Sequence, residues 1–175
     1  MLFRSWEFCS DSVRDTAYQQ LTKQARAIRH AAVATALSDV ASAADDRAHH
    51  LATAAELVDE IGPVASVSPG ISAAAVTALA AAAERALDGG RLRMATRHAT
   101  RALDLLAHAT DTSRPVSSAT GCVTGQLLVV RASAAIDRRD AAAAAADLDR
   151  VQRLIDRGDD VVLSDRKSTR LNSSH

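Results

Sequence analysis

Residues 72–109 read SAAAVTALAAAAERALDGGRLRMATRHATRALDLLAHA. Alanine dominates both halves, and Asp88-Gly89-Gly90 divides them. Alanine favours helix because it loses no side-chain entropy on folding, whereas a Gly pair ends one helix and lets the chain turn. The segment therefore predicts a helix from about Ser72 to Leu87, a tight turn, and a second helix from about Leu92 to Ala109. Leu79, Ala82, Ala83 and Ala86 share one face of the first helix. Ala95, Ala99 and Ala102 share one face of the second. Such small residues let two helices approach closely, but each contributes little apolar area. The core they form is thin.

The same scheme extends in both directions. Downstream, Thr110 to Gly121 is rich in Ser and Thr, contains Pro115, and reads as a loop. Helices follow from about Val123 to Asp137 and from Ala141 to Ile155, with Arg157-Gly158 as the break. The low-complexity stretch Ala141 to Ala146 is read as helix. Upstream, Gly62-Pro63 stops a helix from about Asp45, whose inward face is Ala48, Leu51, Ala55, Leu57, Val58 and Ile61. Residues 63–70 form a loop. A weaker helix from Lys23 to Val40 shows Ile28, Ala31, Ala32, Thr35 and Ala36. A first helix starts near Val13, capped by Ser10 or Asp11, with Val13, Ala17, Tyr18 and Leu21 on one face. Trp6 to Ser10 reads as a short extended entry. The fold class is thus all-α, built from antiparallel helix pairs.

Leu128, Ala132 and Ala135, then Ala144, Leu148 and Val151, form a second, weaker copy of the helix–turn–helix unit. The unit resembles the tetratricopeptide pattern, in which small residues sit where paired helices cross. Alanine or leucine stands at the bulky aromatic positions of that pattern. The offset from Ala95 to Ala144 exceeds the usual repeat by about the Thr110–Gly121 loop.

The chain carries 21 basic and 21 acidic residues, and aromatics make up 2%. Basic residues are interleaved with acids, as on solvated helix faces, so no nucleic-acid surface is expected. No apolar run approaches the ~20 residues needed to span a bilayer. Cys9 and Cys122 lack the spacing of a zinc site or redox pair, and the simplest setting is a reducing cytoplasm. Residues 165–175, DRKSTRLNSSH, match in every position the translation of a common short-read sequencing adapter. They are expected to be a non-native tail, leaving a natural protein that continues beyond about Ser164.

The first half carries a sharper likeness. Phe8, Arg14-Asp15, Ala17-Tyr18, Leu21, Arg26, His30 and Ala34, then Ala48-His49-His50-Leu51 and Ala54-Ala55, resemble a segment found downstream of the ATPase core in large bacterial signalling proteins. Those proteins join a class III adenylate/guanylate cyclase domain, an AAA/STAND-type ATPase and a tetratricopeptide-like array. Ser10 stands where the family often has His. The resemblance covers about Trp6 to Leu106. It implies a division into residues 1–62 as the post-ATPase segment and 71–164 as tetratricopeptide-like pairs, ahead of the adapter-like tail at 165–175. It also implies a regulatory, protein-binding role, with a protein partner or neighbouring domains of the same chain as the contact. ATP and magnesium would belong to upstream domains only, since no P-loop string occurs here. A STAND-type transcription regulator with the same repeats is the alternative, and a free-standing repeat scaffold the third.

No catalytic, cofactor or metal residue is assigned, and no small-molecule site is evident. His49 and His50 lie near Asp45 and Asp46, but neighbouring helical residues point about 100° apart and would not converge on one ion. Asp45 and His49 are an i, i+4 pair, too few ligands for a site. Packed or hydrogen-bonded histidines are expected. Arg14-Asp15 reads as an ion pair, and Ser10 and Ser12 read as caps. Tyr18 is expected to pack with Trp6 and Phe8, in which case Tyr18→Ala would cost about 3 kcal/mol. The structural motif residues are Phe8, Arg14, Asp15, Tyr18, His30, His49, His50, Gly90, Ala95, Ala99 and Ala102.

Overall fold

A computed structural model describes residues 10–111 and 118–157. The expected extended entry at Trp6–Cys9, the motif residue Phe8, and the tail at 165–175 lie outside the described residues. Within them the chain is all-α: α1 Asp11–Gln19, α2 Lys23–Ala36, a 3-10 turn Ala41–Ala43, α3 Ala44–Ile61, α4 Ile71–Asp88, α5 Leu92–Asp111, α6 Ser118–Asp137 and α7 Ala141–Asp156. From α2 onward each helix packs on the next. α3 also touches α5, and α4 touches α6.

Local chemistry explains most boundaries. Thr22 caps α2 by accepting the Ala25 amide at 3.1 Å, and Asp140 caps α7 through the Ala143 amide at 3.1 Å. These are two of the orphan donors that every helix start leaves. Ser10 occupies the N-cap position of α1 but makes no side-chain capping bond. α3 ends at Gly62, whose φ of 87° and amide bond to the Val58 carbonyl close the last turn.

Several boundaries differ from the sequence expectation. α2 stops at Ala36 instead of Val40, since Leu37 to Val40 fold into successive turns. Ser38 and Asp39 are poorer helix formers than alanine, which favours the stop. The α2 core face is Ala27 and Ala34, flanked by Ile28 and Ala31. Ala32, Thr35 and Ala36 are exposed, so the true stripe is rotated from the expected one. α6 begins at Ser118, several residues earlier than expected, which makes the end of the Ser/Thr-rich stretch helical. Residues 63–70 do form a loop, but Val64 and Val67 in it are buried and pin it to the core. In α3, Ala52 and Ala54 join the predicted Ala48, Leu51 and Ala55 in full burial, whereas Ile61 is exposed.

The α4–α5 and α6–α7 pairs share one turn. After α4 the Gly90 amide bonds the Leu87 carbonyl at 2.9 Å, and the Arg91 amide bonds the Ala86 carbonyl at 2.7 Å. After α6 the Arg139 amide bonds Ile136 at 2.8 Å, and the Asp140 amide bonds Ala135 at 2.9 Å. Each member of the second set lies 49 positions after its counterpart. This 6→1 and 5→2 pattern requires a left-handed residue. Gly90 (φ 68°) and Arg139 (φ 62°) supply it. Leu79, Ala83, Ala86, Ala95 and Ala102 are buried, and so are Leu128, Ala132, Ala135, Ala144 and Val151, 49 positions on. Ala82 and Ala99 are buried as well.

Candidate functional site

The polar side chains of the first half converge where α2, α3 and α5 meet. His49 and His50 project from successive α3 positions and reach different partners, as the 100° between them dictates. His50 Nδ1 lies 2.7 Å from His30 Nδ1 on α2. One of these nitrogens must carry the hydrogen and the other the lone pair. The second nitrogen of His30, Nε2, is 2.9 Å from the Tyr18 hydroxyl. His49 Nδ1 is 3.2 Å from Arg101 Nη1 on α5. Three imidazoles thus lie with ring centres 5.0–6.3 Å apart. Asp45 does not join His49. Its carboxylate takes Arg85 of α4 at 2.9 Å and Arg91 at 3.5 Å, and the Arg85 bond holds its pKa below the ordinary value. Among the described residues, no three His, Cys, Asp or Glu side chains are placed to hold a metal ion.

Arg101 is the central cation of this seam, and sequence reasoning gave it no role. Its guanidinium grips Glu56 of α3 through Nε and, at 2.7 Å, through Nη2. Nη2 also donates to Thr53 Oγ1 at 2.8 Å. One α5 side chain therefore ties the first-half segment to the α4–α5 pair. A planar, bidentate arginine fork suits this task better than a lysine ammonium. Burial and the surrounding charge oppose protonation of His30 and His49. Burial, followed by His50, His49, Arg101 and Arg26, pushes the His30 pKa down to about 4. Burial and then Arg101 lower that of His49.

Tyr18 sits beside this cluster and is 36% exposed. Its ring meets His30 edge-on at 5.8 Å, and the Arg26 guanidinium lies 5.3 Å from the ring centre. The expected partners Trp6 and Phe8 lie outside the described residues. α1 itself buries no side chain, which corrects the expectation that Val13 and Tyr18 face inward. Arg14 pairs with Asp11 at 3.0 Å and Asp15 at 3.2 Å, all exposed.

A second polar centre lies in the α6–α7 pair. Leu148, expected on the crossing face, is 47% exposed, and Asp147 is buried in its place. Asp147 receives Arg131 Nε at 2.7 Å and Nη2 at 2.5 Å, and Arg131 Nη1 reaches Thr100 of α5 at 3.3 Å. The bidentate bond raises the arginine pKa above its usual value. His98 occupies the position 49 residues earlier and is likewise buried. Ala82 stands where Arg131 stands in the later pair, and the His98 Nε2 has no hydrogen-bond partner. Burial lowers the His98 pKa, while Asp45 pulls it upward.

A cavity of about 370 Å³ lies between α3 and α5, lined by Glu56, Asp59, Glu60, Asp104, Leu105 and His108. Glu56 is occupied by Arg101, and Glu60 pairs with Lys23. Each of these contacts joins one helix to another, a structural arrangement. Among the described residues no helix is long and apolar enough to cross a membrane. Comparison with protein-family models, with curated proteins and with solved structures finds no match.

Proposed function

We propose that the chain is a non-catalytic regulatory and protein-interaction segment of a bacterial signalling protein that couples an adenylate/guanylate cyclase domain to an AAA/STAND-type ATPase. The observation that carries the interaction half of this reading is the repeated helix pair. α4–α5 and α6–α7 share turn geometry and buried small residues at a constant spacing of 49. Stacked pairs of this kind expose extended surfaces suited to protein contacts. The attachment to a cyclase–ATPase rests on the sequence resemblance, which spans about Trp6 to Leu106. Arg101 suits such a segment mechanically, because it couples α3 to the α4–α5 pair.

Calorimetric titration of the purified chain with magnesium ATP and, separately, with zinc tests the non-catalytic half. Neither should show saturable binding in the micromolar range, about −8 kcal/mol. Micromolar affinity for zinc would give the histidine cluster a ligand role, and micromolar affinity for ATP would overturn the interaction reading.

A further inference from the structure

The contact between His30 of α2 and His50 of α3 has a property that the rest of the seam lacks. The two Nδ1 atoms face each other at 2.7 Å, and that gap holds one hydrogen. With both rings neutral, one Nδ1 donates and the other accepts. One added proton leaves the bridging hydrogen in place. A second proton puts N–H groups on both sides of the gap and two positive rings with centres 5.0 Å apart. The bond then becomes a repulsion. The surroundings do not offset it. Arg26 acts on His30 from α2, His49 from α3 and Arg101 from α5, and Arg97 of α5 acts on His49. The opposing carboxylate is Glu56 of α3, which Arg101 already grips. The Arg85 side chain of α4 is turned to Asp45 instead. Tyr18 of α1 can donate to His30 Nε2 or accept from it, so α1 stays with α2 in either state.

We propose that the His30–His50 contact is an acid-sensitive latch, which releases α1 and α2 from α3 on protonation while α3 to α7 stay packed. The release is local because α2 has little else to hold it. Its main packing partner among the described residues is α3. It fully buries only Ala27 and Ala34, with Ile28 and Ala31 partly covered, and alanines contribute little apolar area each. Its other tie is the exposed pair of Lys23 with Glu60, a kind of contact that holds weakly. α3 is anchored separately, through Asp45 to Arg85 and Arg91 and through Glu56 to Arg101. The α4–α5 pair contains a buried histidine of its own, His98. There the Asp45 carboxylate favours the charged ring, so a proton on His98 meets an attraction and not a second imidazolium. The low His30 pKa agrees in sign: an open seam takes up protons that the closed one resists.

Hydrogen–deuterium exchange of the full chain, read peptide by peptide and corrected for intrinsic exchange rates, tests the latch. Between about pH 6.5 and about pH 4.5 the protection of α2 should fall by about tenfold or more, as uptake of at least one proton on opening requires. Protection of α4 and α5 should change by less than about threefold over the same range. His50→Gln keeps a hydrogen-bonding side chain that does not titrate, and it should abolish the acid response of α2. His98→Gln should leave that response intact. Equal loss of protection in α2, α4 and α5 would overturn the latch, because the chain would then be unfolding as one unit. Protection of α2 that is indifferent to acid would overturn it too. So would an acid response that survives His50→Gln or disappears with His98→Gln.

Discussion

Asp147→Ala is the sharpest test of how this thin core is held. Asp147 has 6% of its side chain exposed and Arg131 20%, and two bonds of 2.5 and 2.7 Å join them. Removing the carboxylate leaves a largely buried guanidinium with its bond to Thr100 and the charge of Asp104 nearby. Breaking a buried pair from one side costs about 3–5 kcal/mol. The partial exposure of Arg131 and its Thr100 bond place this case near about 3 kcal/mol. Replacing both residues by leucine removes the uncompensated charge, and the double variant should lie within about 1 kcal/mol of the parent. Urea denaturation followed by circular dichroism at 222 nm reads both numbers. A single-variant cost below about 1 kcal/mol, or a double variant as unstable as the sum of its singles, would refute the view that this pair is enclosed and mutually dependent.

Four further outcomes follow from the same geometry. Arg139→Gly relieves a left-handed non-glycine residue and should raise stability by about 1 kcal/mol in urea melts; no gain would mean the turn is not held at positive φ. Ala99→Leu overfills the α5–α6 contact and should cost about 1–3 kcal/mol, whereas Leu148→Ala at the equivalent open position should change stability by less than about 0.5 kcal/mol. Stability should fall as pH drops from 6.5 toward 4. The folded state holds the His30 pKa near 4, below the ordinary 6.5, so protons bind the unfolded chain preferentially across that window, and the stabilisation is complete only above it. Allowing for solvent screening of a half-exposed ring, His30 contributes about 1–2 kcal/mol, and His30→Gln should flatten the urea midpoint measured against pH. Tyr18→Ala should cost only about 1 kcal/mol, the net value of a partly exposed hydrogen bond and ring contact, in place of the larger loss that burial with Trp6 and Phe8 would imply.

Much of the architecture was legible because helix signals are local. Alanine runs, the Gly90 turn and Gly62 marked α3, α4 and α5 to within a residue or two. Small residues at Ala95, Ala99 and Ala102 identified a packed face. Reading failed where a face depends on what lies beyond it. Leu148 looks like a core residue from its spacing, yet nothing among the described residues covers it. Asp147 looks like a solvated charge, yet it is buried because Arg131, sixteen residues away on α6, reaches it. The only signal available was its spacing of 49 from His98. The histidine cluster was half legible. The divergence of His49 and His50 follows from helix geometry, but the meeting of His30 with His50, and the grip of Arg101 on Glu56 and Thr53, are tertiary contacts that no spacing rule encodes. α1 was misjudged because its apolar residues carry a helical period, yet among the described residues nothing buries them.

The sequence of the source gene across both ends of this chain tests the central claim most directly. The account predicts an open reading frame that continues upstream into a P-loop ATPase and a cyclase-like sheet domain, and a downstream frame that departs from residues 165–175. A stop codon and ribosome-binding site just ahead of Met1 would contradict it and leave a short independent helical-repeat protein.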